Sequence, residues 1–204
     1  MLLDYVAANE IHLEEVAALV EGAAACCREA GVALVGGETA ELPGIYAPGE
    51  LDFAGTCVGV VARADLIDGS TVTAGDVVIG FASSGVHANG FTLVRRVLED
   101  EDYDGDDLLA PTRLYLDVAR ALHGRAKAFA HVTGGGIPGN LARALPTDTH
   151  AELDWDSWPR PPVFGWLARH IDENELRRVF NLGIGWCAVV AEALPGETVI
   201  GRIA

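Results

Sequence analysis

Apolar residues recur at Leu13, Val16, Ala17, Val20, Ala24 and Cys27, the spacing of a helix with one buried face, so an amphipathic helix is predicted over 12–30 with Gly31 as its stop. No strand is predicted over residues 1–10. The apolar run 32–35 reads as a short buried strand leading into a polar Gly-Gly-Glu-Thr-Ala-Glu loop at 36–41, and 53–62 reads as a second, longer strand. Residues 66–75 are turn-rich and mark a boundary, after which the pattern starts afresh. Strands are predicted over 76–82, 127–131, 150–154, 186–191 and 198–203. Helices are predicted through 91–98, from an N-cap at Thr112 to His123, over 138–145, and as two short segments between Pro162 and Phe180. The irregular alternation predicts an α/β chain of the α+β sandwich kind rather than a strict doubly wound sheet. A partial N-terminal α/β domain is expected over 1–65 and a layered α/β domain over 66–204. One helix and two strands leave an apolar helix face and a sheet edge uncovered, so 1–65 is expected to need a partner for that edge.

Composition narrows the class. Half of the 204 residues are hydrophobic, enough for a sizeable core, and no apolar run is long enough to span a membrane. The net charge is −16 and Lys127 is the single lysine, which argues against nucleic-acid or anionic-membrane partners, since both need a clustered positive surface. The four cysteines (Cys26, Cys27, Cys57 and Cys187) have neither zinc spacing nor a disulfide framework, so a reduced, cytoplasmic protein is expected. Any phosphate it binds must be held by glycine amides, arginine or a metal ion.

The candidate chemistry lies in four polar loops between apolar segments: 36–41, 83–90, 131–136 and 181–185. In the third, His131-Val-Thr-Gly-Gly-Gly136 leads into a helix. Three glycines let the backbone approach a ligand, and the amides of Gly134, Gly135 and Gly136 with the helix N-terminus could cradle an anion, while His131 could exchange a proton near neutral pH. The same residues also make a plain strand-to-helix turn whose histidine satisfies one hydrogen bond. If the loops converge, Glu38, Glu41, His87, His131, Ser84, Thr39, Thr133, Asn89 and Asn181 meet many backbone donors, an inventory that suits phosphate chemistry with a hard metal. Glu41 fits a surface role equally well, and His12, His123, His150 and His170 are given none. There is no Walker loop and no nucleophile elbow.

Five motifs in order, Gly36-Gly-Glu-Thr-Ala-Glu-Leu-Pro-Gly44, Ser83-Ser-Gly-Val-His-Ala-Asn-Gly90, Leu109-Ala-Pro-Thr-Arg113, His131-Val-Thr-Gly-Gly-Gly136 and Phe180-Asn-Leu-Gly-Ile-Gly185, resemble the aminoimidazole ribonucleotide synthetases, the phosphoribosylformylglycinamidine cyclo-ligases. The resemblance implies a two-domain, ATP- and Mg²⁺-dependent enzyme of purine synthesis that closes the imidazole ring of a phosphorylated small-molecule substrate. It implies substrate-facing catalytic histidines at His87 and His131, and substrate or phosphate binding at Ser84, Asn89, Thr133, Gly134, Gly135, Gly136 and Asn181. It puts Gly36, Gly37, Thr39 and Glu41 on the ATP side and a metal ligand at Glu38. Members of this family usually carry an earlier Asp-Gly-Val-Gly-Thr-Lys motif and an Asn-Asp motif, absent from this sequence. The chain is therefore expected to act as a fragment or subunit, in a homodimer or with an N-terminal partner segment. Other readings are a non-catalytic assembly module of the same fold, or a relative such as a thiamine-monophosphate kinase, a selenophosphate synthetase or a formylglycinamidine ribonucleotide synthetase.

Overall fold

The computed structural model describes every residue from Met1 to Ala204. The chain divides into two compact units, Met1–Ala64 and Asp65–Ala204, and its architecture is mixed α/β.

The first unit is built on β1 (Leu2–Ala8), which pairs in parallel with β2 (Leu34–Glu41) and antiparallel with β3 (Leu51–Cys57). Helix α1 (Leu13–Ala30) makes the crossover from β1 to β2 and stops at Gly31, whose φ of 67° needs a residue without Cβ. Two expectations are corrected here. Residues 1–10 hold the central strand of the sheet: Val6, Ala7 and Ala8 are buried from both sides, so the segment is a short apolar run without the alternation that marks a half-exposed strand. The stretch 36–41 is the second half of β2 and not a loop. Its glycines and glutamates have little strand propensity, and pairing with β1 overrides that preference. Gly37 faces Asp4 across the ladder so closely that a Cβ would strike the Asp4 backbone. Both β2 and β3 are sheet edges, and Phe53, Val58, Val60 and Val61 remain exposed.

The second unit holds a five-stranded, wholly antiparallel sheet in the order β5-β7-β4-β8-β6, formed by β4 (Val77–Ala82), β5 (Ala126–His131), β6 (Ala151–Leu153), β7 (Ile184–Val190) and β8 (Val199–Ile203). Its helices are α2 (Phe91–Leu98), α3 (Leu116–Ala121), α4 (Gly136–Ala144), α5 (Pro162–Leu167) and α6 (Glu173–Val179). Both faces of the sheet are covered. Val78, Cys187 and Val189 pack with Ile137 and Leu141 of α4 on one side, and Val77, Ile79, Ala188 and Val190 pack with Leu122 after α3 on the other. That is why β4 and β7 are continuous apolar runs. A further core joins α2, α5 and α6 through Val94, Phe164, Leu176 and Phe180. The helix after Thr112 starts later than its sequence suggests, at Leu116 with Tyr115 as N-cap, because Arg113 and Tyr115 instead direct their side chains to the carbonyl of Ala82. The sole lysine is a structural residue: Lys127 Nζ lies 2.7 and 2.8 Å from the two carboxylate oxygens of buried Asp76. No helix is long and apolar enough to cross a membrane.

Candidate functional site

Strands β4 and β5 flank β7 and both run against it, so the C-terminal ends of β4 and β5 meet the N-terminal end of β7 at one end of the sheet. Topology thereby brings together three of the four polar loops. The fourth stretch, 36–41, is part of strand β2 in the first unit.

Asn181 ties the loop after β4 to the loop before β7. Its Oδ1 accepts from the Ser83 hydroxyl (2.9 Å) and from the N–H of Gly183 (2.8 Å), and its Nδ2 donates to the carbonyls of Gly85 (2.9 Å) and Val86 (3.1 Å). The carboxamide is buried and fully engaged, so Asn181 holds the loops rather than reaching outward. The Ser84 hydroxyl is likewise engaged, donating to the carbonyl of Pro111 at 2.6 Å. His87 stands in the left-handed region at φ 64° and is 5% exposed. Its Nε2 accepts the Ser84 N–H at 3.2 Å, and its Nδ1 is buried without a partner. Burial, reinforced by the nearby His131 and Arg113, depresses its pKa to about 4.

The glycine loop is organised from inside by Asn140, whose Nδ2 donates to the carbonyl of Gly136 (2.7 Å) and more weakly to those of Thr133 and Gly134, while its Oδ1 accepts from the Thr133 hydroxyl (3.1 Å). Asn89 Oδ1 takes the Gly134 N–H at 3.0 Å and joins this loop to the one after β4. The Gly136 N–H turns back to the Thr133 carbonyl. The Gly135 N–H is left unpaired beside the first turn of α4, so the cradle is narrower than three consecutive glycines suggest. Gly136 is small for a packing reason, since a Cβ there would overlap the Arg177 carbonyl of α6. Gly135, at φ 104°, would bring a Cβ only into ordinary van der Waals contact, no closer than 3.7 Å to the Gly139 Cα.

His131 ends β5 with its ring exposed, 5.7 Å from the Trp186 ring and 6.1 Å from that of Tyr115, and the packed surroundings lower its pKa. Tyr115 and Trp186 are site residues that a sequence reading assigns only to a helix and a strand. Their rings stack at 5.7 Å, and Tyr115 donates its hydroxyl to the Ala82 carbonyl at 2.8 Å. Gly185 makes this possible, because a Cβ would collide with both Tyr115 and His87. Glycine at that point of an otherwise apolar strand was the available signal. Arg113, which donates to the same Ala82 carbonyl at 3.2 Å, adds the one cationic side chain that acts on His87.

In the first unit, Gly36, Gly37, Glu38, Thr39 and Glu41 lie along exposed β2. Glu38 Oε1 accepts the N–H of Thr39 (3.1 Å), and Glu41 Oε1 accepts that of Ile11 (2.8 Å). No three histidine, cysteine or acidic side chains come together as a metal site. A Mg²⁺ ion at Glu38 would take its other ligands from water and phosphate.

Residues 73–201 match the family model of the AIR synthase related protein, C-terminal domain, and residues 1–61 that of the N-terminal domain. The chain is 50% identical to the phosphoribosylformylglycinamidine cyclo-ligase of Nitrosococcus oceani, in an alignment covering 94% of this chain and 57% of that protein. It is 47% identical to the cyclo-ligase of Burkholderia mallei, with 94% and 58% covered. The chain thus spans somewhat more than half the length of these curated relatives. Among solved structures, thiamine monophosphate kinase from Aquifex aeolicus superposes with a TM-score of 0.71 at 16% identity, over 99% of this chain and 69% of that one. At such identity the likeness is one of fold.

Proposed function

Because the chain belongs to the AIR synthase related family, we propose that it forms the substrate-side part of an ATP-dependent cyclo-ligase converting formylglycinamidine ribonucleotide to aminoimidazole ribonucleotide. The reaction transfers the γ-phosphoryl group of ATP to the formamide oxygen. An amidine nitrogen then attacks the formyl carbon, a C–N bond forms, the C–O bond breaks, and phosphate and a proton leave. The observation that carries this reading is the meeting of three polar loops at one end of the second unit's sheet.

In this reading the Gly135 N–H and the start of α4 hold a phosphate, Asn89 uses its free Nδ2 toward the same ligand, and Thr133 and Gly134 are fixed by Asn140 and Asn89 so that the loop is preorganised. His131, neutral at pH 7 because its pKa is lowered, takes the proton from the attacking nitrogen. Ser84, His87 and Asn181 keep the adjoining loop in place around the reacting centre. ATP is met by the first unit, with Gly36, Gly37, Thr39 and Glu41 on that side. Mg²⁺ bound through Glu38 would screen phosphate charge. The free edges of the first sheet take up a second copy or an N-terminal partner segment.

Calorimetric titration of the chain with formylglycinamidine ribonucleotide tests the substrate assignment. Binding is expected, and it should be lost in Gly135→Ala while the thermal transition persists. A folded chain that releases no heat with this ligand would contradict the assignment.

A further inference from the structure

The two histidines at this end of the sheet differ in one structural respect. His131 has no hydrogen-bond partner and is open to solvent, whereas His87 is enclosed and held by a main-chain N–H. An amide N–H can only donate, so Nε2 of His87, 3.2 Å from the Ser84 nitrogen, must be the bare, accepting nitrogen. The neutral ring then carries its proton on Nδ1. That N–H is buried and no protein acceptor meets it. Buried polar groups are nearly always paired, and exceptions gather where a ligand completes the bonding.

We propose that His87 is a fixed neutral hydrogen-bond donor, which offers its Nδ1–H to an acceptor oxygen of the bound substrate and leaves proton transfer to His131. The identity of that oxygen, formamide or phosphoryl, rests on the cyclo-ligase reading, but the tautomer does not.

Three further features favour the neutral ring. Protonating Nε2 would set N–H against N–H at Ser84 and break the bond that fixes the loop. The groups that face His87 offer no counter-charge: Ser84 of its own loop, Tyr115 and Arg113 from the segment before α3, His131 at the end of β5, and Gly185 of β7. Arg113 is cationic, and the Tyr115 hydroxyl already donates to Ala82. The depressed pKa of His87 has the same origin. The left-handed backbone and the absence of a side chain at Gly185 also fix the ring in place, so the donor is preorganised.

The tautomer can be read on the full chain labelled with ¹⁵N-histidine, from two-bond nitrogen–proton correlations between about pH 5 and 8.5. His87 is identified by the signals lost in His87→Asn. The expected result is the Nδ1-protonated neutral pattern across the range. An Nε2-protonated pattern, or an inflection near 6.5 for His87, would overturn the proposal. A second pair of variants tests the donor itself. In His87→Asn the amide nitrogen stands near the Nδ1 position and asparagine accepts a left-handed backbone, whereas His87→Gln places its amide near Nε2. With the chain joined to the N-terminal remainder of the Nitrosococcus oceani cyclo-ligase, the Asn variant should exceed the Gln variant by about tenfold or more in single-turnover rate per folded molecule, within the range of one positioned group. Equal rates, or the reverse order, would remove the donor role. The spectra need no turnover, so failure of this inference is separable from failure of the proposed activity.

Discussion

Asn181 makes four hydrogen bonds through a single carboxamide that is 3% exposed. Truncation to alanine leaves the Gly183 N–H and the Val86 carbonyl without this partner, and leaves the Ser83 hydroxyl and the Gly85 carbonyl only each other at 3.0 Å, in a site too enclosed to hydrate freely. Asn181→Ala should therefore lower unfolding free energy by roughly 3 kcal/mol or more, read from the denaturant midpoint, and a loss under about 0.5 kcal/mol would show the knot to be dispensable. A sequence reading finds this residue but gives it the wrong direction. An asparagine beside a glycine turn looks the same whether it reaches a ligand or the neighbouring loop, and only its partners 95 to 98 residues away decide. Tyr115 and Trp186 pose the opposite problem. Aromatic residues at apolar positions look like core, and nothing local says that their rings flank two histidines.

At the scale of elements, the glycine triplet separates into unequal parts. Gly136→Ala must push the Arg177 carbonyl, and hence the C-terminal turn of α6, away from α4, at a cost of about 3 kcal/mol from overpacking. Gly135→Ala meets nothing closer than 3.7 Å and should cost only the left-handed backbone, about 1–2 kcal/mol. Thermal unfolding of the two variants should rank them in that order, and equal losses would contradict the packing account. The two units also differ in what they can do alone. Residues 65–204 enclose a sheet covered on both faces, whereas β2 and β3 of the first unit are exposed almost throughout. Expressed separately, 65–204 should unfold in one cooperative transition and 1–64 should show none. A cooperative transition for 1–64 would show that its sheet needs no cover. The helices and the strands of the second unit are legible because their periodicity reflects local burial. The central strand β1 and the second half of β2 are not legible, since β1 becomes a strand by pairing with β2 and β3, and 36–41 by pairing with β1.

At the scale of the whole molecule, pH links the site to stability. His87 has a folded pKa near 4 against an ordinary 6.5, so between these values the unfolded chain binds the extra proton and the folded chain does not. Stability therefore falls as pH drops from 6.5 towards 4 and levels off below it. Glu173 behaves as a lowered carboxylate: hydrogen bonds from Arg160, then Arg177, hold it near 2 against 4.5, and its contribution, present above 4.5, is lost as pH falls towards 2. The two windows overlap only between 4 and 4.5, and in His87→Asn the decline between 6.5 and 4 should be shallower than in the parent chain. Identical profiles would mean that His87 is not protected from protonation.

The central claim is that the second unit's three loops form the cyclisation site and that a further, ATP-side segment completes the enzyme. It is tested most directly by joining the N-terminal remainder of the Nitrosococcus oceani cyclo-ligase to this chain and following formylglycinamidine ribonucleotide, with ATP, to aminoimidazole ribonucleotide in a single turnover. The joined protein should close the ring and release ADP and phosphate, this chain alone should do neither, and His131→Ala should slow the chemical step by about 10²–10⁴-fold without loss of fold. A folded, ATP-binding chimera that forms no imidazole, or a His131→Ala variant with undiminished rate per folded molecule, would contradict the account.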